Sequence, residues 1–225
     1  MAKIEIIPAI LVNDFAELQS DIELIEGFVK TVQIDVCDGQ FTPQPTWPYR
    51  KHDENFERIV SEEEGMPGWE KVNFEIDLMA NHPEDKIENW VQAGATRIVL
   101  HAEVKGDLEK AINDLTGRVE VGLALSESTP VSVIEKYRDK IQFVQLMGIE
   151  QIGFQHQPFD EKVLGRIKEV RMKFPGMPIA VDGGVSLENA NNLIDAGADR
   201  LIVGSAIFGA EEPIDAIQQF KALLH

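Results

Sequence analysis

Eight short apolar segments alternate with amphipathic segments along this chain of 225 residues. The apolar segments are rich in valine, isoleucine and leucine, a composition typical of strands buried on both faces. They cover residues 4–11, 32–37, 72–79, 97–101, 119–125, 141–147, 178–182 and 201–203. Strands that alternate with helices pair in parallel through crossover connections. Eight such units predict an α/β fold closed as a (β/α)8 TIM barrel.

The segments between the predicted strands have helical periodicity. A helix end is repeated in Gln92-Ala-Gly-Ala-Thr-Arg-Ile-Val and Asp195-Ala-Gly-Ala-Asp-Arg-Leu-Ile, where a glycine ends a helix before the next strand begins. This repetition favours a repeated β/α unit over an irregular α+β fold. The predicted helices are 15–26, 83–93, 108–115, 131–137, 160–173, 187–196 and 213–224. Pro83, Pro130 and Pro213 lie where the second, fourth and last of these begin, at positions where a first helical turn tolerates proline.

Length and composition predict one domain over residues 1–225. With 44% apolar residues the chain is able to bury a full barrel core. A long apolar stretch is absent from the first residues and from the rest of the sequence, so export and a membrane location are not expected. A single cysteine, Cys37, excludes an intramolecular disulfide and favours a reducing compartment, so we predict a cytoplasmic protein.

The net charge of −18 argues against a nucleic-acid partner, since no basic block is present to neutralise a phosphate backbone. The charge is still compatible with a small phosphorylated ligand. Distant surface carboxylates are screened over roughly 8 Å at physiological salt, whereas backbone N–H groups act on an anion at contact.

Two glycine-rich turns follow the last two predicted strands. Gly183 and Gly184 follow residues 178–182, while Gly204 and Ser205 follow residues 201–203. Neighbouring turns of this kind present backbone N–H groups at the carboxyl end of a barrel, where phosphorylated substrates bind. The alternative is that these glycines only allow the chain to turn. Two such turns in tandem favour a phosphate site.

Acidic residues lie near the ends of three predicted strands: Asp35, Asp77 and Asp182. Carboxylates at this end of a barrel point toward the usual catalytic position, and several gathered there repel one another unless a cation or a shared proton compensates. Metal binding is the hypothesis that follows. The alternatives are that Asp77 bonds local backbone and that the nearby Asp38 caps a turn at Gly39.

Residues 40–70 depart from the barrel pattern. Prolines are frequent at their start, and a helix is predicted over residues 55–64. We interpret this segment as a rim or lid beside the predicted site, with a plain surface insertion as the alternative.

Several motifs, taken in order along nearly the whole chain, resemble the ribulose-phosphate 3-epimerase family. These are Pro8-Ala-Ile-Leu, Asp14-Phe, Ile34-Asp-Val-Cys-Asp-Gly-Gln-Phe, Asp77-Leu-Met, His82-Pro, His101-Ala-Glu, Val181-Asp-Gly-Gly-Val and Gly204-Ser-Ala-Ile-Phe-Gly. The resemblance implies a barrel of the ribulose-phosphate-binding type. It also implies epimerisation of a phosphorylated ketosugar.

In the family that the chain resembles, two histidines and two aspartates hold a divalent metal, and the aspartates exchange protons with the substrate. Asp35 and Asp182 match these aspartates. Gln33 and Asp77 stand where the histidines are expected. The predicted ligands Gln33, Asp35, Asp77 and Asp182 offer oxygen alone, which favours Mg²⁺ or Mn²⁺ over Zn²⁺.

The resemblance also predicts the rest of the site. Phosphate contacts are expected at the two glycine turns and at Gly153, in a loop whose sequence departs from the family pattern. Met79 and Met147 are expected to form an apolar floor beneath the substrate, although packing inside the barrel explains both equally well. A homo-oligomer is a further expectation.

The changed ligand positions leave two alternatives open. One is a barrel that binds a sugar phosphate without catalysis, which is weakened because both acid/base aspartates are retained. The other is a different phosphosugar isomerase or lyase, since one barrel scaffold supports many reactions. His101 and the loop residue His156 are weaker candidates, and ordinary packing or solvent exposure is the alternative for each.

Overall fold

The computed structural model describes residues 4–154 and 157–223. Eight parallel strands close into a barrel in sequence order, each pairing with the next and the last with the first. The strands are β1 (Glu5–Ile10), β2 (Thr31–Cys37), β3 (Asn73–Met79), β4 (Ala95–His101), β5 (Glu120–Leu125), β6 (Phe143–Met147), β7 (Ile179–Asp182) and β8 (Arg200–Val203). The predicted (β/α)8 barrel is confirmed, and every strand boundary lies within two residues of its prediction.

Helices cover the outside of the barrel. They are α1 (Phe15–Ile25), α2 (Glu54–Val60), α3 (Ile87–Gln92), α4 (Leu108–Leu115), α5 (Ile134–Tyr137), α6 (Lys162–Lys173), α7 (Ala190–Ala196), α8 (Ser205–Phe208) and α9 (Pro213–Ala222). Short 3₁₀ turns at Pro83–Asp85 and Val131–Val133 precede α3 and α5. These helices fall short of the length and apolarity that crossing a bilayer requires, as far as the described residues extend.

Several predicted helix boundaries were wrong. The helix predicted for residues 55–64 ends at Val60, and Glu62 adopts a left-handed backbone that a helix cannot continue through. The segments predicted as 83–93 and 131–137 each begin as a 3₁₀ turn, whereas α8 was not predicted. The last helix, predicted to end at Leu224, ends at Ala222.

Apolar packing occupies two layers. One lies between strands and helices, and the other fills the barrel interior with Ile7, Ala9, Val99, Ala124, Phe143, Ala180 and Ile202. Alternation of side chains along each strand explains this division, because successive residues point to opposite faces of the sheet.

An ion-pair network closes the amino-terminal end of the barrel. Arg97 on β4 approaches three carboxylates, with its Nη1 at 3.1 Å from Glu5 and 3.4 Å from Glu75, and its Nε at 3.0 Å from Glu120. Arg200 on β8 lies 3.6 Å from Glu5 and 3.4 Å from Glu120. Burial raises the pKa of Glu75 to about 7, although the charge of Arg97 opposes the rise.

The rim segment of residues 40–70 is anchored by Trp47. The ring of this buried residue lies 5.9 Å from that of Phe15, 5.4 Å from Phe56 and 5.9 Å from Trp90, measured between centroids. Aromatic packing therefore fixes the segment, which includes α2, against α1 and α3. Its action as a lid remains a prediction.

Candidate active site

The predicted acidic residues meet at the carboxyl end of the barrel. Asp35 on β2 lies in register with Asp77 on β3, and Asp182 ends β7 across the barrel. One carboxylate oxygen from each lies within 4.8 Å of the others. Parallel strands bring their carboxyl ends to one side of the sheet, which explains how residues far apart in sequence form this cluster.

Gln33 links two of these aspartates. Its Nε2 donates to Asp35 Oδ1 at 2.8 Å and to Asp182 Oδ2 at 3.1 Å. The Gln33 side chain is fully buried, and its Oε1 accepts no hydrogen bond from the described residues. The amide nitrogen of Gln33 thus partly compensates the negative charge of two carboxylates, while its amide oxygen is left without a hydrogen-bond donor among the described residues.

Gln145 and His101 hold the third aspartate. Gln145 Nε2 donates to Asp77 Oδ2 at 3.0 Å and to Asp182 Oδ2 at 3.2 Å. His101 Nε2 lies 2.9 Å from Asp77 Oδ1, and the His101 ring lies 5.1 Å from the ring of Phe41 in the rim segment. Asp77 therefore bonds side chains of the cluster, and the alternative of bonds to local backbone was wrong.

Burial and mutual repulsion alter proton affinity in the cluster. Burial, followed by the charges of Asp182 and Asp77, raises the pKa of Asp35 well above its usual range. The pKa of Asp182 is raised by burial and by Asp77, while the hydrogen bond from Gln33 opposes the rise. Burial lowers the pKa of His101, but the Asp77 carboxylate more than reverses this, so the net change is upward. Protons or a cation are needed to balance these charges.

A cleft opens above the cluster. Its lining includes both predicted acid/base residues, Asp35 and Asp182, and every residue predicted to contact substrate, namely Met79, Met147, Gly153, Gly183, Gly184, Gly204 and Ser205. Gln33 and Asp77 are buried beside it and do not line it. The structure thus brings the predicted residues together, and their individual roles remain predictions.

Two glycines in the cleft are required by the backbone. Gly183 and Gly184 have φ values of +96° and +67°, which side chains rarely allow. A Cβ on Gly184 would lie 2.9 Å from the Cα of Phe159, and one on Gly183 would lie 2.6 Å from the side chain of Ile149. Turn geometry and close packing both demand glycine here, so the glycines alone do not prove that phosphate binds.

The sequence analysis did not predict some residues of the site. Gln145 had a recognisable signal, because it is a polar residue within the apolar strand β6 and points to the same face as Phe143 and Met147. Ile149, Phe154 and Gln157 also line the cleft, but they lie in a loop without periodicity. His156 is outside the described residues.

Asp38 lies outside the acidic cluster. Its Oδ1 accepts from the backbone N–H groups of Gln40 and Phe41, both at 2.8 Å, and its Oδ2 accepts from Asn81 N at 2.9 Å. The expectation that Asp38 caps the turn at Gly39 is therefore confirmed.

The donor set of the cluster fits a hard divalent cation. Three carboxylates converge within 4.8 Å, and the buried amide oxygen of Gln33 has no hydrogen-bond partner among the described residues. Carboxylate and amide oxygens are typical ligands of Mg²⁺, Mn²⁺ and Ca²⁺. The cluster is thus chemically suited to a metal, and a cation would relieve the repulsion that raises the pKa of Asp35.

The closed barrel of eight parallel strands places the protein in the class of TIM-barrel folds. Over 98% of this chain and 98% of the other, the fold matches 3-hexulose-6-phosphate synthase from Salmonella typhimurium with a TM-score of 0.71 and 16% identity. KGPDC from Streptococcus mutans matches over 98% of this chain and 96% of the other, with a TM-score of 0.71 and 13% identity. At such low identities these likenesses establish the fold alone.

Sequence comparison identifies the family. Residues 5–208 match the ribulose-phosphate 3 epimerase family, and the chain belongs to it. Ribulose-phosphate 3-epimerase from Bacillus subtilis is 34% identical, with 97% of this chain and 98% of that protein covered. The protein of the same name from Schizosaccharomyces pombe is 30% identical, with 98% and 94% covered. The resemblance inferred from sequence motifs is confirmed.

Proposed function

We propose that this chain is a carbohydrate-phosphate epimerase that inverts the carbon next to the ketone of a phosphorylated ketosugar. The observation that carries the proposal is the placement of Asp35 and Asp182 on β2 and β7, lining one cleft together with the glycine turns. Inversion needs a proton acceptor and a proton donor that reach the same carbon, and two carboxyl groups on different strands meet this need.

The reaction moves one proton off the carbon and another onto it. One carboxylate takes the proton from the carbon next to the ketone, and the C–H electron pair moves to give an enediolate with negative charge on the former carbonyl oxygen. The other carboxyl group donates its proton to the opposite face of that carbon, and the enediolate electrons form the new C–H bond. Asp35 and Asp182 exchange roles in the reverse direction.

The surroundings of the two aspartates support this division of roles. Burial and repulsion from neighbouring carboxylates raise the pKa of both carboxyl groups, so the pair retains a proton at a pH where an isolated aspartate has lost it. One member is then able to act as an acid while the other acts as a base. This is the condition that two-base proton transfer requires.

The glycine turns are proposed to bind the phosphate. Gly183, Gly184, Gly204 and Ser205 line the cleft, with Gly153 on the loop after β6. Unpaired N–H groups at turns and helix starts attract anions without needing a basic side chain. Met79 and Met147 are proposed as the apolar floor beneath the sugar carbons.

We propose Gln33, Asp35, Asp77 and Asp182 as the residues that hold a divalent cation. When bound, the cation stabilises the negative charge that develops on substrate oxygens. The oxygen-only donor set favours Mg²⁺ or Mn²⁺ over Zn²⁺. Elemental analysis of protein purified without chelator checks this assignment. One zinc per chain, or no metal at all, contradicts it.

The remaining expectations also stand as proposals. The chain acts on a small phosphorylated sugar and has no nucleic-acid or membrane partner. It resides in the cytoplasm and assembles as a homo-oligomer. Fractionation of cells and sedimentation of the purified protein test the last two statements.

Deuterium exchange tests the activity directly. Metal-stripped protein is incubated with D-ribulose 5-phosphate in deuterated water, with Mg²⁺, Mn²⁺ or Zn²⁺ restored separately, and NMR follows deuterium at C3 and the formation of xylulose 5-phosphate. Exchange together with epimer formation in Mg²⁺ or Mn²⁺ is expected. A folded protein that supports neither contradicts the proposal for this substrate.

One observation favours a second candidate, a barrel that binds sugar phosphates without catalysis. Gln33 and Asp77 stand where the resemblance to the family predicts histidines. Binding of the sugar phosphate by calorimetry, with no exchange across a panel of phosphorylated ketoses, would establish that candidate.

A further inference from the structure

Gln145 is a buried amide in an otherwise apolar strand. Its side chain is 0% exposed, and its neighbours on β6, Val144 and Leu146, belong to the packed layer beneath the helices. Burying an amide without hydrogen bonds is unfavourable. An amide in this position therefore indicates a specific partner.

The partners of Gln145 are two carboxylates from opposite parts of the barrel wall. Gln145 Nε2 lies 3.0 Å from Asp77 Oδ2 on β3 and 3.2 Å from Asp182 Oδ2 on β7. The second amide of the cluster, Gln33 Nε2, also donates to Asp182 Oδ2, at 3.1 Å. One oxygen of Asp182 thus receives two amide donors that come from β6 and β2.

The two carboxylate oxygens of Asp182 differ in their hydrogen bonding. Within residues 4–154 and 157–223, side-chain hydrogen bonds to Asp182 fall on Oδ2, and none falls on Oδ1. Asp182 also lines the cleft. Fixing Oδ2 from two directions restricts rotation of the carboxylate and leaves Oδ1 available to a substrate proton.

We propose that Gln145 is a positioning residue that fixes Asp182 Oδ2 and so directs Asp182 Oδ1 to the reacting carbon. The proposal rests on the proposed epimerase function, because it assigns Gln145 a task in proton transfer. Gln145 does not touch the substrate in this role. It acts through Asp182, whereas the residues that line the cleft are proposed to contact the substrate directly.

The first test compares Gln145→Leu with wild type in steady-state turnover of D-ribulose 5-phosphate. Leucine has a similar volume but no donor, so kcat is expected to fall roughly 10- to 100-fold through loss of alignment, with KM changed less than about 3-fold. Gln145→Glu keeps the shape but replaces the donor with an acceptor, and its kcat is expected to fall at least as far.

A matched control makes the same chemical change elsewhere. Gln219 on α9 is exposed, and Gln219→Leu is expected to keep the kcat and KM of wild type. If Gln145→Leu retains wild-type kcat, or if KM rises while kcat is unchanged, the positioning role is wrong.

The second test needs no turnover. Gln145→Leu and Asp182→Ala are combined in a double-mutant cycle, and urea unfolding gives the equilibrium constant of each variant. Coupling is expected to make the effect of the double variant differ at least about 3-fold from the product of the single effects. The cycle of Gln145→Leu with Asp215→Ala, on α9, is expected to be multiplicative.

The two tests separate the proposals. A wild-type protein that turns over no phosphorylated ketose contradicts the epimerase function, and the unfolding cycle still decides whether Gln145 holds Asp182. Multiplicative effects in the Gln145 and Asp182 cycle overturn the positioning role, whatever the kinetics show.

Discussion

The two ends of the barrel each gather a group of three carboxylates, but they compensate the charge in different ways. At the amino-terminal end the carboxylates lie within 3.0–3.6 Å of guanidinium groups, in a set made of Glu5, Glu75, Glu120, Arg97 and Arg200. At the carboxyl end the donors are two amides and one imidazole, in a set made of Asp35, Asp77, Asp182, Gln33, Gln145 and His101.

This difference separates stability from function. Arginine remains charged, so the amino-terminal carboxylates have permanent cationic partners. Amides are neutral, so the carboxylates at the other end are hydrogen-bonded but their charge is left for a proton or a cation. The ends of TIM barrels divide in the same way, with chemistry at the carboxyl end and structural roles at the other.

The largest effect is expected from Asp35→Asn at the carboxyl end. The amide cannot accept the substrate proton, so turnover of D-ribulose 5-phosphate is expected to fall by roughly 10³-fold, since a positioned acid/base group contributes about 10²- to 10⁴-fold. Initial rates measured by NMR and circular dichroism of the fold check this result. The control is Glu75→Gln, which neutralises a buried carboxylate at the other end and is expected to retain turnover. Wild-type turnover in Asp35→Asn would remove the two-base mechanism.

Arg97→Met is expected to lower stability and to leave turnover unchanged, the reverse of Asp35→Asn. Loss of the guanidinium leaves Glu75 buried without its partner, and breaking a buried pair in this way costs about 3–5 kcal/mol in the free energy of unfolding. Urea unfolding measures the cost, and turnover per folded molecule is expected to be unchanged. The control is Arg118→Met, which breaks an exposed pair with Glu88 and is expected to leave the unfolding midpoint unaltered. Equal effects of the two substitutions would show that burial does not matter here.

The raised pKa of Glu75 predicts that the free energy of unfolding depends on pH. Its pKa is raised from 4.5 to about 7 in the folded chain, so the folded state binds the proton more tightly than the unfolded state does. This contribution to stability is complete below pH 4.5 and is lost as the pH rises through about 7. The loss amounts to about 3 kcal/mol, from the energy equivalent of a pKa shift of this size.

Glu75→Gln sharpens that measurement, because glutamine does not titrate. Urea unfolding at about pH 5.5 and about pH 8 is expected to show a larger loss of stability in wild type than in the variant, as linkage requires. Parallel pH profiles of the two proteins would mean that Glu75 does not titrate between these values.

Cation binding is expected to give the smallest of these effects. Mn²⁺ at about 100 times its Kd is expected to stabilise metal-stripped protein by about 2.7 kcal/mol, since only the folded state assembles the ligands. Thermal unfolding with and without Mn²⁺ measures this shift. Asp77→Asn at the carboxyl end is expected to weaken the response, whereas Glu75→Gln is expected to preserve it. Identical responses in all three proteins would place the ion elsewhere.

Much of the barrel was predictable because its signals are local. The alternation of apolar strands with helices fixed the element order, and every strand boundary was predicted to within two residues. Helix ends were less predictable. The left-handed backbone at Glu62, which ends α2 early, has no marker such as glycine in the sequence.

The candidate site was predictable where its residues follow strands. Asp35 and Asp182 were assigned from strand ends and family motifs, and both line the cleft. Gln145 was overlooked because its importance depends on partners 68 and 37 residues away, Asp77 and Asp182. The pairing of His101 with Asp77 likewise depends on the register of neighbouring strands.

The sequence by itself determined the repeated β/α units, the strand ends at which carboxylates stand and the glycines that turn beside them, because periodicity and backbone conformation are local properties. Tertiary structure alone decided which donor serves which carboxylate. Barrel closure brings Gln33 within 3.1 Å of Asp182, a residue 149 positions away, and this proximity is set by strand register and burial. Charge compensation at the site therefore follows from the closed barrel, since hydrogen bonds and Coulomb forces act between neighbours in space.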